Sequence, residues 1–263
     1  MRQVREVVRQ WEEKRGHKIL VGVRVPAVPQ AAYQLGLDAH VWAREGLVQL
    51  VVVTPFWTTC DFDIPIELWR ELLAGTGATL AGGLETRVQP YPGGPARMIS
   101  PEEARGAAAA ILADGADAVY LFNYFESLYT GGSWSRDEYD RTLAAMSSLQ
   151  ALAELPRCHT VTYHDTAAPG QRLEYVLPAT GTRLAFRIRT GPKPIRGRVV
   201  LRAKVEGLAK ADRLEVRVNG YECGRPSVSE REIELPIPLG VMRENLTVVE
   251  IQTNSSVTVK GIS

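Results

Sequence analysis

The sequence has little cysteine, no excess of either charge and no long apolar run. Its three cysteines, Cys60, Cys158 and Cys223, are scattered over 263 residues. An odd, scattered set without a CxxC pair gives neither a disulfide framework nor zinc spacing. It fits a reducing compartment and so leans the localisation toward the cytoplasm. Basic and acidic residues number 31 and 30, for a net charge of +1. That balance offers no electrostatic footprint for nucleic acid or an anionic membrane. The longest apolar runs, Ile19–Val23 and Leu47–Val53, fall far short of a membrane span. The opening stretch MRQVREVVRQWEEKRG lacks the apolar centre of a signal peptide and reads as an amphipathic helix. No glycine-rich GxGxxG turn follows any candidate strand, so a dinucleotide-binding sheet is disfavoured. Neither a cofactor nor a metal is called for.

What is present is an alternation. Val4, Val7, Val8 and Trp11 recur at helical spacing, and Gly16 stops that helix. Short β-rich apolar runs follow at 18–25, 47–54, 78–84 and 116–123. Helices are expected between and after them, over Pro29–Glu45, Pro65–Ala74, Ala104–Ala113 and Arg136–Leu155. Ser100-Pro101-Glu102-Glu103 is a capping signature for the third of these. Strands apolar on both faces and separated by helices predict a parallel sheet covered by helices. The repeat length suits four units of a (β/α)₈ barrel. After about Pro169 the pattern changes to alternating apolar and polar residues. Strands are expected at 172–177, 183–189, 197–205, 212–218, 230–235 and 246–251, with a further one in VTVKGIS, and Asn219-Gly220 is a hairpin signal. The expectation is a half-barrel over 1–168 and a small antiparallel β-sandwich over 169–263.

In such barrels the working residues lie beyond the C-terminal ends of the strands. Those positions hold Arg24; Trp57, Asp61 and Asp63; Glu85, Arg87, Gln89 and Tyr91; and Asn123, Tyr124 and Glu126. Aromatic faces, carboxylates, amides and arginines converging on one rim suit a sugar, whose apolar ring faces stack and whose hydroxyls need partners. Each residue has a structural competitor: a strand-end ion pair for Arg24 and Glu85, rim packing for Trp57, and a helix-capping turn for Asp61 and Asp63. Cys158, His159, His164 and Asp165 cluster in sequence but match no common metal spacing. Ala107–Ala110 reads as a close helix–sheet contact.

The stretches GVRVPAVPQAAYQLGLDAHVWAREGLVQLVVVTPFW, DFDIPIELWREL, GLETRVQPYP and GADAVYLFNYFES resemble the second half of family-10-like glycosyl hydrolase barrels, over roughly residues 1–130. The segment LEVRVNGYE resembles the strand–turn–strand of sandwich modules appended to carbohydrate-active enzymes. The resemblance implies that the four strands are the fifth to eighth of the barrel. It places Glu85 where related retaining enzymes carry the nucleophile, at the end of the seventh strand. Their acid/base partner comes from a fourth strand, which has no counterpart here, and glycoside hydrolysis needs two carboxyl groups. Two readings stay open: a glycosidase-like enzyme or part of one, with Glu85 as nucleophile or base, and a non-catalytic carbohydrate-binding or interaction protein. Either way, a half-barrel leaves two open strand edges and an uncovered face, for which Val21, Val23, Val51 and Val53 are candidates. A homodimer, or docking onto an N-terminal half-barrel, is the expected partner arrangement.

Overall fold

A computed structural model describes residues 1–209, 213–229 and 231–263. The first part alternates as expected. Helix α1 (Arg2–Arg15) is closed by Gly16 in the left-handed conformation and leads into β1 (Gly22–Pro26). Then follow α2 (Pro29–Gln34), α3 (Ala39–Arg44), β2 (Leu50–Thr54), α4 (Ile66–Leu72) and β3 (Thr79–Leu84). A small hairpin, β4 (Arg87–Val88) with β5 (Arg97–Met98), precedes α5 (Pro101–Ala113) and β6 (Ala118–Leu121). Helices α6 (Ser127–Thr130), α7 (Arg136–Ala145) and α8 (Leu149–Glu154) complete this part. The capping signature is realised: the Ser100 hydroxyl accepts from the Glu103 amide while the Glu103 carboxylate accepts from the Ser100 amide.

Two helices expected to be continuous are each two. Residues 29–45 break around Gly36, and Asp38 restarts the chain by accepting from the Val41 amide. Residues 136–155 break before Ser148, which caps α8 through the Ala151 amide. In both, a side-chain acceptor competes with the helical ladder for backbone donors.

β1, β2, β3 and β6 form one parallel sheet in that order, adjacent and in sequence. Buried residues of helices α2 to α8 share one core with the strands, as short crossovers between successive neighbours require. The helix-facing residues include Val25, Val51, Val53, Leu80 and Leu84, in one core with Trp69 of α4 and Ala104, Ala107, Ala108, Ala109 and Ile111 of α5. Gly82 belongs to this face, where a Cβ would lie 2.5 Å from the Ile111 side chain. Val21, Val23, Val51 and Val53 therefore all face the helix-side core and not the opposite face, contrary to expectation. The opposite face carries the alternate residues Arg24, Leu50, Val52, Thr54, Ala81, Gly83, Tyr120 and Phe122, of which Val52, Thr54, Ala81 and Gly83 are buried.

The second part is a separate antiparallel sheet of seven strands: β7 (Ala179–Gly191), β8 (Val199–Glu206), β9 (Leu214–Val218), β10 (Tyr221–Glu222), β11 (Ser227–Val228), β12 (Glu232–Ile237) and β13 (Asn245–Ile262). Asp212 and Glu230, expected as strand starts, lie outside the described residues. Asn219-Gly220 does turn β9 into β10, with Asn219 at φ 53°. The strand expected near 246–251 and the terminal one are a single 18-residue β13. Its first half pairs with β7 and β9 and its second with β7 and β8, across register shifts, so the sheet curls around one core. Residues 172–177 form no strand, although Leu177 is buried.

Residues 155–178 run between the two parts without helix or strand and bond to both. The Cys158 amide donates to the Glu102 carbonyl on α5, and the Val161 amide to the Ile262 carbonyl on β13. Helix α5 is buried from Glu103 to Ile111 because it touches both sheets: Gly191 of β7 passes so close that a Cβ there would lie 3.1 Å from Ala109 backbone. The alanine run thus serves two helix–sheet contacts. No helix among the described residues is long and apolar enough to cross a membrane.

Candidate functional site

The C-terminal ends of β1, β2, β3 and β6 carry a compact polar and aromatic group. Arg24 projects from the face of β1 opposite the helices and donates to the carbonyls of Pro55 (3.1 Å) and Phe56 (2.8 Å), just beyond β2. Its guanidinium also stacks over the Phe122 ring at 4.0 Å, beyond β6. One arginine therefore ties three strand ends together. Phe56 and Trp57 are 62% and 68% exposed, with ring centroids 5.6 Å apart. Large apolar rings this exposed are poor core residues and good stacking surfaces.

The loop that presents them is held by Asp165. Its carboxylate accepts from the amides of Phe56 (2.7 Å), Trp57 (2.9 Å) and Thr58 (2.7 Å). Three convergent amides satisfy a carboxylate in the manner of an anion nest. The neighbouring His164 places Nδ1 2.6 Å from Oδ2 of Asp61, while Oδ1 of Asp61 accepts from the Asp63 amide. The buried Asp61 carboxylate raises the His164 pKa to about 9, against an opposing effect of burial. Sequence reading missed the role of both residues, since each acts on a loop about 100 positions away and nothing in their spacing signals it.

Glu85 follows β3 and is buried. Its Oε1 accepts from the Thr86 amide (2.7 Å) and hydroxyl (3.0 Å), while Oε2 is enclosed without a partner. Burial raises the Glu85 pKa; the Thr86 hydrogen bonds and the Arg24 charge oppose this, and the Asp165 charge reinforces it. Gly83, two positions earlier, is forced by contact: a Cβ there would lie 2.3 Å from the Thr54 hydroxyl. Asn123 sits exposed beyond β6 at φ 60°, a conformation asparagine tolerates.

The remaining residues singled out in the sequence are placed differently. Tyr124 is buried, its hydroxyl 3.4 Å from the Glu85 carbonyl and its ring edge-on to Trp134. Glu126 is exposed at the start of α6. Arg87 is exposed on the β4–β5 hairpin, and Tyr91 packs against the antiparallel core. Gln89 bonds to the Tyr163 hydroxyl at 3.1 Å. Asp63 caps no helix; it joins Glu67 and Asp114 around Arg189 of β7. Cys158, His159, His164 and Asp165 form no metal-holding group among the described residues. His159 is shut away enough that burial lowers its pKa to about 3.

No protein-family model matches the chain, and no curated protein matches it. Function has to be argued from the rim itself. The rim offers a buried carboxyl with a raised pKa, an arginine, an exposed aromatic pair and an exposed asparagine. Such a set can stack an apolar ring face, hold hydroxyl groups and move a proton.

Proposed function

We propose that the parallel sheet is part of the wall of a (β/α)₈-type barrel and that its rim acts on a carbohydrate, with Glu85 as the proton-carrying group. The observation that carries this reading is Glu85: a carboxyl at a strand's C-terminal end, enclosed, with one oxygen unpartnered. An unmet buried carboxylate oxygen is costly, and such costs concentrate at working sites. Sequential parallel strands sharing one core with α2 to α8 support the barrel reading, and the exposed Phe56–Trp57 pair supports a pyranose platform.

The raised pKa favours a general acid/base over an ionised nucleophile, because the group keeps its proton nearer neutrality. Hydrolysis also needs a second carboxyl. Asp165 is close enough to act on Glu85, but its two oxygens are taken by loop amides. A second reading, sugar binding without turnover, is favoured by that same enclosure of Glu85.

The test is release of reducing ends from an oligosaccharide panel. Glu85→Gln is expected to lower turnover by roughly 10²–10⁴-fold with the fold intact, and Trp57→Ala to weaken binding. Equal turnover by Glu85→Gln removes Glu85 from the chemistry. Binding that depends on Trp57, with no cleavage of any glycan by the parent, selects the second reading.

A further inference from the structure

The Phe56–Trp57 pair does not hold its own loop. Rings that are mostly exposed bury little surface, so burial supplies little of the free energy needed to order the residues that carry them. The backbone of the segment is fixed instead, from two sides, by side chains of opposite charge. On one side Arg24 donates to the carbonyls of Pro55 and Phe56. On the other, Asp165 accepts from three consecutive amides: Phe56 on Oδ1, and Trp57 and Thr58 on Oδ2. Bonds between amides and a carboxylate are of the stronger, charge-assisted kind.

Asp165 does not belong to the parallel sheet. It lies in the 155–178 connector, which meets the loop after β2 in roughly inverse order. The Thr162 hydroxyl donates to the Cys60 carbonyl (2.8 Å), His164 meets Asp61, and Asp165 reaches residues 56–58. Just before these, the Thr160 hydroxyl and the Val161 amide both donate to the Ile262 carbonyl at the end of β13, at 3.0 and 3.1 Å. Over residues 160–165 the connector is thus bonded first to the antiparallel part and then to the aromatic loop.

We propose that Asp165 is a positioning residue of the rim: from the connector it sets the Phe56–Trp57 platform in the geometry that stacks a sugar ring. A platform ordered in the folded chain does not meet that ordering cost when ligand arrives, so the grip on the backbone appears as affinity. The choice of an aspartate follows from the donors. Three amides converge on two oxygens, and both oxygens must accept. An asparagine has nearly the same shape but one acceptor oxygen, and its NH₂ group would face at least one of the three amides. The role assigned to Asp165 rests on the carbohydrate reading for its ligand, but the order of the loop is measured without one.

The experiment compares the full chain with Asp165→Asn, Trp57→Ala and the double variant. Without ligand, amide exchange at Phe56, Trp57 and Thr58 is followed by NMR. Trp57 exposure is followed by acrylamide quenching, with Trp57→Ala as the blank for the remaining tryptophans. Asp165→Asn is expected to speed exchange of those amides by about tenfold to a hundredfold, the range for losing a hydrogen bond to a charged group. Exchange within β2 and the far-ultraviolet spectrum are expected to stay as in the parent. With neutral gluco-, xylo-, manno- and galacto-oligosaccharides as probes, Asp165→Asn is expected to bind about tenfold more weakly. Added to Trp57→Ala it is expected to cost nothing further, because the carboxylate acts through the ring. Unaltered exchange and quenching in Asp165→Asn overturn the proposal. So does an equal loss of binding with and without the Trp57 ring, which gives Asp165 a role independent of the platform. A parent that binds none of the probes overturns the carbohydrate reading instead, and exchange and quenching still decide whether Asp165 sets the loop.

Discussion

At the scale of single residues, the rim is governed by how each carboxyl is satisfied. Asp165 has three amides, Asp61 has an imidazolium, and Glu85 has one oxygen with nothing. The last two both lose their contribution as pH rises, in different windows. His164 has its pKa raised from 6.5 to about 9. Its protonated form therefore adds stability in full below about pH 6.5, and that contribution is lost as pH rises through about 9. His164→Asn is expected to be less stable than the parent near neutrality and to match it above pH 9, as read by urea denaturation across that range. Glu85 follows the same sign in a lower window, which opens above the ordinary glutamate value. Its folded pKa is raised, so the contribution of its protonated form is complete below the ordinary glutamate value and lost as pH climbs through the folded value. Glu85→Gln is thus expected to melt no lower than the parent at pH 7, and above it where the ionised form is most confined. A variant that loses function and gains stability marks a group kept for chemistry.

At the scale of elements, α5 decides how the two halves meet. An Ala-rich helix can approach a sheet closely, but one position must go further. A Cβ on Gly106 would lie 2.0 Å from the Cys158 carbonyl, in the connector whose amide is bonded to Glu102. Helix propensity alone says that Gly106→Ala adds about 1 kcal/mol. The contact says the reverse, since backbone cannot swing aside and overpacking costs about 1–3 kcal/mol. Net destabilisation is expected in equilibrium denaturation, with faster proteolysis within 155–178. A stabilised variant shows that the connector yields there. Beside Gly106, Arg105 is buried and donates to Glu138 (2.8 Å), Thr142 (3.0 Å) and the Pro156 carbonyl (2.8 Å). It holds α7 and the start of the connector against α5.

At the scale of the whole molecule, the parallel and antiparallel parts are joined through one charged knot. Arg189 of β7 reaches Asp63, Glu67 and Asp114, the last two at 2.6 Å. The knot holds more acid than base, and Asp114 is the buried member, so burial raises its pKa to about 6 although Arg189 opposes this. Arg189→Met leaves Asp114 without its counter-charge. A loss of about 3–5 kcal/mol is expected at pH 7, the magnitude for breaking one partner from a buried pair. The loss is expected to shrink at pH 5, where Asp114 takes up a proton. Adding Asp114→Asn is expected to restore much of the stability at pH 7, and calorimetry of the single and double variants measures the coupling. Two separated melting transitions in Arg189→Met alone identify the knot as the tie between the parts.

The sequence by itself determined the parallel strands, their order, the capping box of α5 and the change of pattern in the second part. All of these follow from local periodicity, turn chemistry and short right-handed connections. It also put Arg24, Trp57, Glu85 and Asn123 at the ends of strands, because those positions follow from the strand boundaries. Only tertiary structure decided which apolar face of the sheet meets the helices, since Val51 and Val52 are equally apolar and which points at α5 depends on register. Tertiary structure joined the terminal strands into one bent β13 and left residues 172–177 without a ladder, because alternation by itself brings no partner strand alongside. It also assigned Asp165 to the Trp57 loop, His164 to Asp61 and Asp63 to Arg189. These pairs lie about 100 or more positions apart, and burial and proximity at that range arise only when the connector and β7 fold back on the parallel sheet.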